Sequence, residues 1–322
     1  MHSLEIIQSK VTELFNKIRI PGEPEHLYEP IVYSLSQGGK RIRPVMAFIG
    51  CEIFDGKTED VVPAALGLEI FHNFTLLHDD IMDNAPIRRG LPTVYKKWGT
   101  NTAILSGDTM FVIAYEHITR SNPAILKDIL DLFNKTAREV CEGQQLDMDF
   151  ETRNNVSIEE YIEMIRLKTA VLIAGSLKAG AIAAKASKES QKTIYDFGIN
   201  LGLAFQLMDD LLDTYGNEKI FGKKTGLDII TNKKTFLYLK AYEKADFNTK
   251  KELDYAFLIE DNDAKVKAVK EIFDYLNIKP ETEMMIDQYA GYASNFLDSL
   301  NLKADKRSLL DEISNKLVHR NV

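Results

Sequence analysis

Two stretches of sequence decide the fold: LLHDDIMD at residues 76–83 and FQLMDDLLD at residues 205–213. Each contains two aspartates four positions apart, which on a helix lie one turn apart on the same face. The residues before each aspartate pair are largely apolar, so we predict that both clusters end buried helices. Like charges at this spacing destabilise a helix unless something positive lies between them. We therefore predict that each cluster meets a cation.

Helical patterns extend over the rest of the chain. Apolar residues recur at three- and four-residue spacing, Asn122-Pro123 is typical of a helix start, and Ser157 with Glu160 forms a capping-box pattern. The sequence contains no series of short alternating strands and no Pro/Gly/Ser-rich linker. We therefore predict an all-α fold, a single domain over residues 1–322 made of about a dozen helices.

The composition excludes several classes of protein. The chain has 322 residues, a hydrophobic fraction of 45% and a formal net charge of −8. No apolar run approaches the roughly 20 residues of a membrane-spanning helix, and the N-terminus is acidic and polar where a signal peptide would be basic and then apolar. We therefore predict a cytoplasmic protein with no transmembrane segment. The negative charge and the lack of a basic stripe argue against nucleic acid as a partner.

The two aspartate clusters predict a shared metal site. One such cluster is ordinarily a solvated acidic helix face, whereas two, each ending an apolar helix, favour metal binding. Hard oxygen ligands favour Mg²⁺, which usually binds through one or two carboxylates and substrate phosphates. The alternative is a structural calcium site, but the loop spacing of an EF-hand is absent. The candidate metal ligands are Asp79, Asp80, Asp83, Asp209, Asp210 and Asp213.

Basic residues accompany both clusters. GGKRIRP at residues 38–44 precedes the first cluster and PIRRG at residues 86–90 follows it, while FGKKTGLDI at residues 221–229 and NKKT at residues 232–235 follow the second. Each basic group alone is typical of a solvated surface, but their joint occurrence favours a site that binds two anions. Arg offers a fork for phosphate oxygens and Lys a point charge. The glycine pair at residues 38–39 would let the backbone approach a ligand closely.

The sequence resembles the trans-isoprenyl diphosphate synthases. The matching motifs, in the family's order over residues 38–236, are GGKRIRP, EIFHNFTLLHDDIMDNAPIRRG, LSGD, GQQLD, KTA, FQLMDD and GKKTGLDIITNKKT. The resemblance implies the isoprenoid synthase fold, an all-α bundle around a deep apolar central cavity, with Mg²⁺ as cofactor and usually as a homodimer. It also implies an enzyme that joins isopentenyl diphosphate to an allylic diphosphate, namely dimethylallyl, geranyl or farnesyl diphosphate.

The resemblance further implies a role for each matching residue. Mg²⁺ is bound directly by Asp79, Asp83 and Asp209, with Asp80, Asp210 and Asp213 in support. The allylic diphosphate is held by Arg88, Lys168 and Lys223, with Lys233 as a further candidate. The pocket for isopentenyl diphosphate contains Lys40, Arg43, His72 and Arg89. Polar positions of the reaction centre are Gln144, Asp147, Thr169 and Gln206. The candidate catalytic residues are Asp79, Asp83, Asp209, Lys168 and Arg88. For His72, a buried structural histidine is the competing interpretation.

Side chains on the helix before Asp79 are the candidates that set the product length. In this family a bulky side chain four or five residues before the motif stops the growing tail, and these positions are Thr75 and Phe74. Phe71, two turns back, is a second candidate, and core packing is the alternative for both phenylalanines. The first motif lacks the two-residue insertion of bacterial farnesyl-type enzymes. The pattern resembles short-chain synthases that make geranylgeranyl diphosphate, with a farnesyl diphosphate synthase as the alternative.

Two other classes of function compete with a synthase. A class I terpene cyclase shares the ionisation chemistry and the helical fold, but GGKRIRP and Arg89 indicate a second diphosphate pocket that a cyclase does not need. A non-catalytic partner subunit of a heteromeric synthase typically loses one aspartate motif, and both are intact in this sequence. The C-terminal stretch KLVHRNV matches nothing in the family pattern, and Arg320 within it is a candidate for closing the site.

Overall fold

A computed structural model describes residues 2–153, 155–216 and 225–318. Before residue 154 the helices are α1 (Leu4–Asn16), α2 (Glu25–Ser36), α3 (Ile42–Glu52), α4 (Thr58–Met82), α5 (Val94–Trp98), α6 (Thr100–Thr119) and α7 (Pro123–Thr152). After it come α8 (Ile158–Ile165), a π-helical turn (Arg166–Ala170), α9 (Val171–Ala183), α10 (Lys188–Tyr215), α11 (Leu227–Ile230), α12 (Phe236–Lys244), α13 (Phe247–Phe257), α14 (Asn262–Tyr275), α15 (Ile278–Ser299) and α16 (Ala304–Val318). Within the described ranges the only strands are β1 (Ile87–Arg88) and β2 (Leu91–Pro92). The predicted all-α fold is confirmed.

The helix starts follow the local signals in the sequence. Asn122 accepts a hydrogen bond at Oδ1 from the Ala124 backbone N–H at 3.0 Å, and α7 begins between them at Pro123. The Ser157 N–H donates to the Glu160 carboxylate at 2.9 Å, and the Glu160 N–H donates to Ser157 Oγ at 3.2 Å. Both predicted caps are therefore confirmed. None of the described helices is both long enough and apolar enough to cross a membrane.

The described chain forms two compact units. Unit 1 comprises Met1–Ala137, Gly175–Tyr195 and Leu302–Leu309, and unit 2 comprises Arg138–Ala174, Asp196–Asn301 and Leu310–Val322. The first aspartate cluster belongs to unit 1 and the second to unit 2. A single domain over residues 1–322 stays a prediction.

In unit 1, α4 packs closely against α6. A Cβ on Gly67 of α4 would lie 2.9 Å from the Ala114 carbonyl oxygen and 2.7 Å from Ile118 Cγ1, both on α6. Only glycine allows this approach, because any side chain would collide with the backbone of the neighbouring helix. This close packing continues along the second half of α4 and brings Phe74 beside Phe111.

In unit 2, two glycines make room for the π-helical turn. A Cβ on Gly143 of α7 would lie 2.3 Å from the Lys168 backbone nitrogen, and a Cβ on Gly202 of α10 would lie 2.6 Å from Ala170 Cα. Both helices therefore contact the turn at backbone distance. Single-turn π-bulges are frequent at functional sites. This one carries Lys168 and Thr169, two of the predicted site residues.

Candidate active site

The first aspartate cluster forms the C-terminal end of α4. Asp80 is buried, Asp79 is half-buried, and Asp83 is exposed at the C-cap. The Arg88 guanidinium donates from Nε to Asp80 Oδ1 at 2.8 Å, so this carboxylate is paired with a cation of the protein, while a cation between Asp79 and Asp83 stays a prediction. Burial raises the pKa of Asp80 above its ordinary value, although Arg88 opposes the shift.

A tight hairpin supplies the two arginines that follow this cluster. Ile87 pairs with Pro92 and Arg88 with Leu91, so Arg89 and Gly90 form the two-residue turn. Both turn residues have positive φ, 54° and 78°, as the favoured hairpin turns require.

One of these arginines, Arg89, packs against Gly38 and Gly39, the glycine pair of the first basic motif. Arg89 donates from Nη1 to the Gly38 carbonyl oxygen. The guanidinium carbon of Arg89 lies 2.8 Å from the position of a Cβ on Gly39, whose φ is +126°. The sequence predicts that these glycines let the backbone approach a ligand closely. In the structure the group that lies against them is the guanidinium of Arg89.

His72 lies in the middle of α4 near this arginine. Burial lowers its pKa well below the ordinary value, and the positive charges of Arg43, Arg89 and Arg88 lower it further. The ring is therefore neutral at physiological pH and can act as a hydrogen-bond donor without adding charge. The predicted pocket residues Arg43, His72 and Arg89 are thus electrostatic neighbours in unit 1. Lys40, the fourth, is an exposed residue next to the glycine pair.

This cluster has two further members: Arg41, a cation of the first basic motif to which sequence reasoning assigned no separate role, and Glu69, which sequence reasoning missed. Glu69 is 4% exposed and accepts from Asn73 Nδ2 at 3.3 Å. Burial raises the pKa of Glu69, while Arg43, Arg41 and Arg89 oppose the shift. Arg41 lies over the Phe15 ring at 3.9 Å. A carboxylate inside an otherwise apolar stretch of α4 is a signal that could have found Glu69.

The predicted chain-length residues belong to an aromatic cluster. Phe71 is fully buried, Phe74 is half-buried, and their ring centroids are 5.6 Å apart. Thr75 Oγ1 donates to the His72 carbonyl oxygen at 2.8 Å, so this hydroxyl is bonded within its own helix. The sequence predicts one aromatic floor, whereas the structure adds Phe111, Tyr115 and Phe133 to the same cluster. These three residues are on other helices, and no local signal links them to α4.

The second aspartate cluster forms the last turns of α10. Asp210 is buried; Tyr161 donates its hydroxyl to Oδ2, and Gln206 Nε2 donates to Oδ1 at 3.0 Å. Thr169 Oγ1 in turn donates to Gln206 Oε1 at 2.9 Å. Burial raises the pKa of Asp210 well above its ordinary value, and the neighbouring Asp228 carboxylate adds to the shift. The structure therefore joins the predicted Thr169 and Gln206 to Asp210, and it adds Tyr161.

Two lysines converge on one carboxylate in unit 2. Lys168 Nζ donates to Asp147 Oδ2 at 2.5 Å, and Lys233 Nζ lies 3.9 Å from the same oxygen. Burial raises the pKa of Asp147, but Lys168 and Lys233 outweigh this effect and the net shift is downward. Asp147 is therefore a carboxylate at neutral pH.

Asp147, Lys168 and Lys233 line a pocket that also contains Asp228, whose role the sequence does not reveal. Burial raises its pKa to about 7, and the Asp213 carboxylate contributes to the shift. The Asp228 backbone N–H donates to Asp213 Oδ2 at 3.0 Å. Gln144 is buried on α7. Lys223 and Arg320 lie outside the described residues.

The six candidate metal ligands differ in how accessible they are. Among the residues that the structure describes, no group of three or more Asp, Glu, His or Cys side chains is arranged to hold a metal alone. Mg²⁺ usually binds through one or two carboxylates plus phosphates and water. Asp80 and Asp210 are buried and bonded to protein donors, which suits a supporting role. Asp79, Asp83 and Asp209 are more accessible.

An all-α fold with an aspartate cluster and a group of basic residues in each unit is typical of one class of protein, the prenyltransferases that act on diphosphates. The chain belongs to the polyprenyl synthetase family, which residues 24–276 match. The predicted family is therefore confirmed.

Relatives and solved structures agree with this assignment. The chain is 43% identical to a geranylgeranyl diphosphate synthase of Methanosarcina mazei over 223 residues, 69% of each chain. It is 35% identical to a geranylfarnesyl diphosphate synthase of Natronomonas pharaonis over 338 aligned positions, covering 98% of this chain and 95% of the relative. A crystal structure of a geranylgeranyl pyrophosphate synthase superposes over 100% of both chains with a TM-score of 0.95 and 42% identity. A Corynebacterium glutamicum geranylgeranyl pyrophosphate synthase, complexed with isoprenyl diphosphate and magnesium, superposes with a TM-score of 0.85 at 26% identity, covering 99% and 98% of the two chains.

Proposed function

We propose that this chain condenses isopentenyl diphosphate with an allylic diphosphate, dimethylallyl, geranyl or farnesyl, and that its main product is geranylgeranyl diphosphate. The proposed product length rests on the contact of Phe74 with Phe111. Phe74 lies five residues before Asp79 in the sequence. At about 1.5 Å of rise per residue, Phe74 lies about 7.5 Å along α4 from Asp79. In this proposal the growing tail runs from a diphosphate at Asp79 along α4 to the side that faces α6, where the rings of Phe74 and Phe111 would stop it. The geranylgeranyl diphosphate synthases among the relatives support the same product.

The basic residues would stabilise the leaving diphosphate. Loss of diphosphate leaves an allylic carbocation and concentrates negative charge on the departing oxygens. Lys168 and Lys233, held beside Asp147, would place two ammonium groups against that charge. Arg88 is assigned to the same diphosphate by the family resemblance alone. Mg²⁺, when bound by the aspartates, supplies further charge neutralisation. The apolar side chains beyond the diphosphate would protect the cation from water.

The arginine cluster of unit 1 would bind isopentenyl diphosphate. Arg43 and Arg89 offer guanidinium forks to phosphate oxygens, Lys40 offers a point charge, and neutral His72 offers a hydrogen bond. The isopentenyl double bond would then attack the allylic carbocation, and the resulting tertiary cation would lose a proton. No protein base is assigned, because the released diphosphate can accept that proton.

The finer predictions have separate support. Mg²⁺ as the metal is supported by the carboxylate donors and by the magnesium in the Corynebacterium relative. A homodimer is supported by three exposed apolar side chains on α6, those of Ile104, Leu105 and Val112, which are 42%, 57% and 58% exposed. A cytoplasmic location and the lack of a nucleic-acid partner stay predictions from composition.

Product analysis tests the proposal. The purified chain would be incubated with Mg²⁺, labelled isopentenyl diphosphate and each allylic primer in turn, and the dephosphorylated products would be sized. A dominant C20 alcohol supports the proposal, whereas a dominant C15 alcohol favours the farnesyl alternative. A cyclic hydrocarbon would indicate a cyclase, and no incorporation with any primer would indicate a partner subunit. Asp79→Asn should abolish incorporation, while Asp131→Asn, at an exposed position on α7, should not.

A further inference from the structure

We propose that Lys265, a buried lysine of α14, is a positioning residue that holds Lys233 and Asp228 in place for the allylic diphosphate. The inference rests on the proposed function, since it assigns Lys233 to that substrate. Lys265 lies beyond the family-like motifs, which end at residue 236. It acts through the backbone of another segment and reaches no substrate itself.

The lysine is buried against neutral oxygen atoms. Lys265 is 5% exposed, and its Nζ donates to Asn232 Oδ1 at 2.6 Å and to the Ile230 carbonyl oxygen at 3.3 Å. The ammonium also lies 5.8 Å from the Phe257 ring centroid. Buried lysines are uncommon because the charge loses its hydration, so the contacts that this one makes are specific ones.

The segment that Lys265 contacts is a short helix followed by a tight turn. Ile230 is the last residue of α11, and its carbonyl belongs to the helix end that a cation stabilises. Asn232 has a φ of 57°, in the left-handed region where asparagine is tolerated better than most residues. The Lys233 N–H donates to the Asp228 carbonyl oxygen at 2.8 Å and closes the turn. Lys265 therefore bonds both the end of α11 and the turn that follows it.

The next residue of α14 contacts the other end of the segment. A Cβ on Gly226 would lie 2.7 Å from Val266 Cγ2, and Gly226 has a φ of +83°. The first turn of α14 thus contacts the segment from residue 226 to residue 232 at both ends. A shift of α14 would move the whole segment.

The segment and the residue that follows it supply Asp228 and Lys233, which line the same pocket as Asp147 and Lys168. Gly226 N–H donates to the Asp213 carbonyl oxygen at 2.6 Å, and Asp228 N–H donates to Asp213 Oδ2 at 3.0 Å. Lys233, one residue after Asn232, places Nζ 3.9 Å from Asp147. The ammonium of Lys265 therefore holds Asn232, the residue before Lys233, in position. Its loss would let the Lys233 side chain move away from Asp147.

The test compares Lys265→Met with Lys265→Arg. Methionine keeps most of the apolar length and removes the charge, whereas arginine keeps a donor. A displacement of about 1 Å remote from the chemistry can cost up to about 100-fold in rate, so we expect a roughly 10- to 100-fold lower kcat/KM for geranyl diphosphate in Lys265→Met. The KM for isopentenyl diphosphate should stay within about twofold, because its pocket is built from residues of unit 1. Lys265→Arg should recover most of the loss. Lys267→Met, at an exposed position on the same helix, is the matched control.

A double variant separates positioning from general stability. Asn232→Gly removes the amide and keeps the positive φ, so it should reproduce the effect of Lys265→Met, and the two together should lose no more than either alone. Binding of inorganic pyrophosphate with Mg²⁺, measured by calorimetry, gives a second readout that needs no turnover. Unchanged geranyl diphosphate kinetics and pyrophosphate binding in a folded Lys265→Met would overturn the inference, as would equal losses for both substrates. No turnover by the wild-type chain would instead overturn the proposed function, and pyrophosphate binding would still decide the role of Lys265.

Discussion

Phe74 and Phe111 stack with ring centroids 5.2 Å apart and ring planes inclined by 23°. Phe74 comes from α4 and Phe111 from α6, so the proposed floor for the growing tail has two layers. Phe71 and Phe133 lie behind them, with centroids 5.5 Å apart. Because of this second layer, a substitution that removes one ring leaves the other in the path of the tail.

Phe74→Ala should lengthen the product by a limited amount, because Phe111 remains in the path of the tail. The double variant Phe74→Ala/Phe111→Ala should lengthen it further. Each truncation should cost at most about 3–5 kcal/mol of stability, the range for a buried aromatic ring. Product sizing by chromatography checks this. Phe48→Ala, at a 4% exposed position of α3 outside the cluster, should destabilise the protein without changing product length. Equal products from the single and double variants would contradict the two-layer floor.

Gly39→Ala should weaken binding of isopentenyl diphosphate. The added Cβ would lie 2.8 Å from the Arg89 guanidinium carbon, and alanine is strained at a φ of +126°. We expect about a tenfold higher KM for isopentenyl diphosphate, about 1.4 kcal/mol, and little change for the allylic substrate. Steady-state kinetics with each substrate varied in turn measures both values. Gly291→Ala is the matched control, because nothing lies within 4 Å of its added Cβ. A similar rise for both substrates would show that Arg89 does not belong to one pocket.

Asp147→Asn should lower kcat more than it changes the KM for the allylic diphosphate. The substitution removes the carboxylate on which Lys168 and Lys233 converge, so the two ammonium groups lose their common anchor. The higher positive charge favours diphosphate binding, whereas the lost orientation slows ionisation by about 10- to 100-fold. Single-turnover kinetics would isolate the ionisation step. Asp149→Asn changes an exposed carboxylate on the same helix and should leave kcat unchanged. A higher KM with normal kcat would assign Asp147 to binding alone.

Removal of His72 should reduce the acid sensitivity of the fold. Because its pKa is lowered in the folded state, the unfolded chain binds more protons between the folded pKa and about 6.5. Stability contributed by the neutral ring is therefore present above about pH 6.5 and is lost as the pH falls below it. Urea unfolding at pH 7 and pH 5 should show a smaller difference for His72→Gln than for the wild type. His26→Gln, which removes an exposed histidine, should keep the wild-type difference. An unchanged difference in His72→Gln would show that the ring does not titrate in this way.

Local patterns predicted the fold and part of the site. Ser157 and Glu160 form their capping box because both partners lie within four residues, and a helix fixes such spacings. Asp79 and Asp209 could be proposed as metal ligands from the sequence for the same reason, since a motif inside one helix needs no other part of the chain. The family-like motifs then gave roles to residues that are far apart in sequence.

The sequence by itself determined the helices, their caps and the carboxylates and cations available for chemistry, because these depend on spacing along the chain. Only the tertiary structure decided which groups meet. Arg89 donates a hydrogen bond to Gly38, which lies 51 residues earlier in the chain. Tyr161 donates a hydrogen bond to Asp210, which lies 49 residues later in the chain. Phe111 contacts Phe74 because α4 and α6 pack closely side by side, with Gly67 allowing the approach. Lys265 bonds Asn232 because α14 packs on the turn before Lys233. Such contacts follow from the packing of whole helices against one another, and no local pattern specifies that packing.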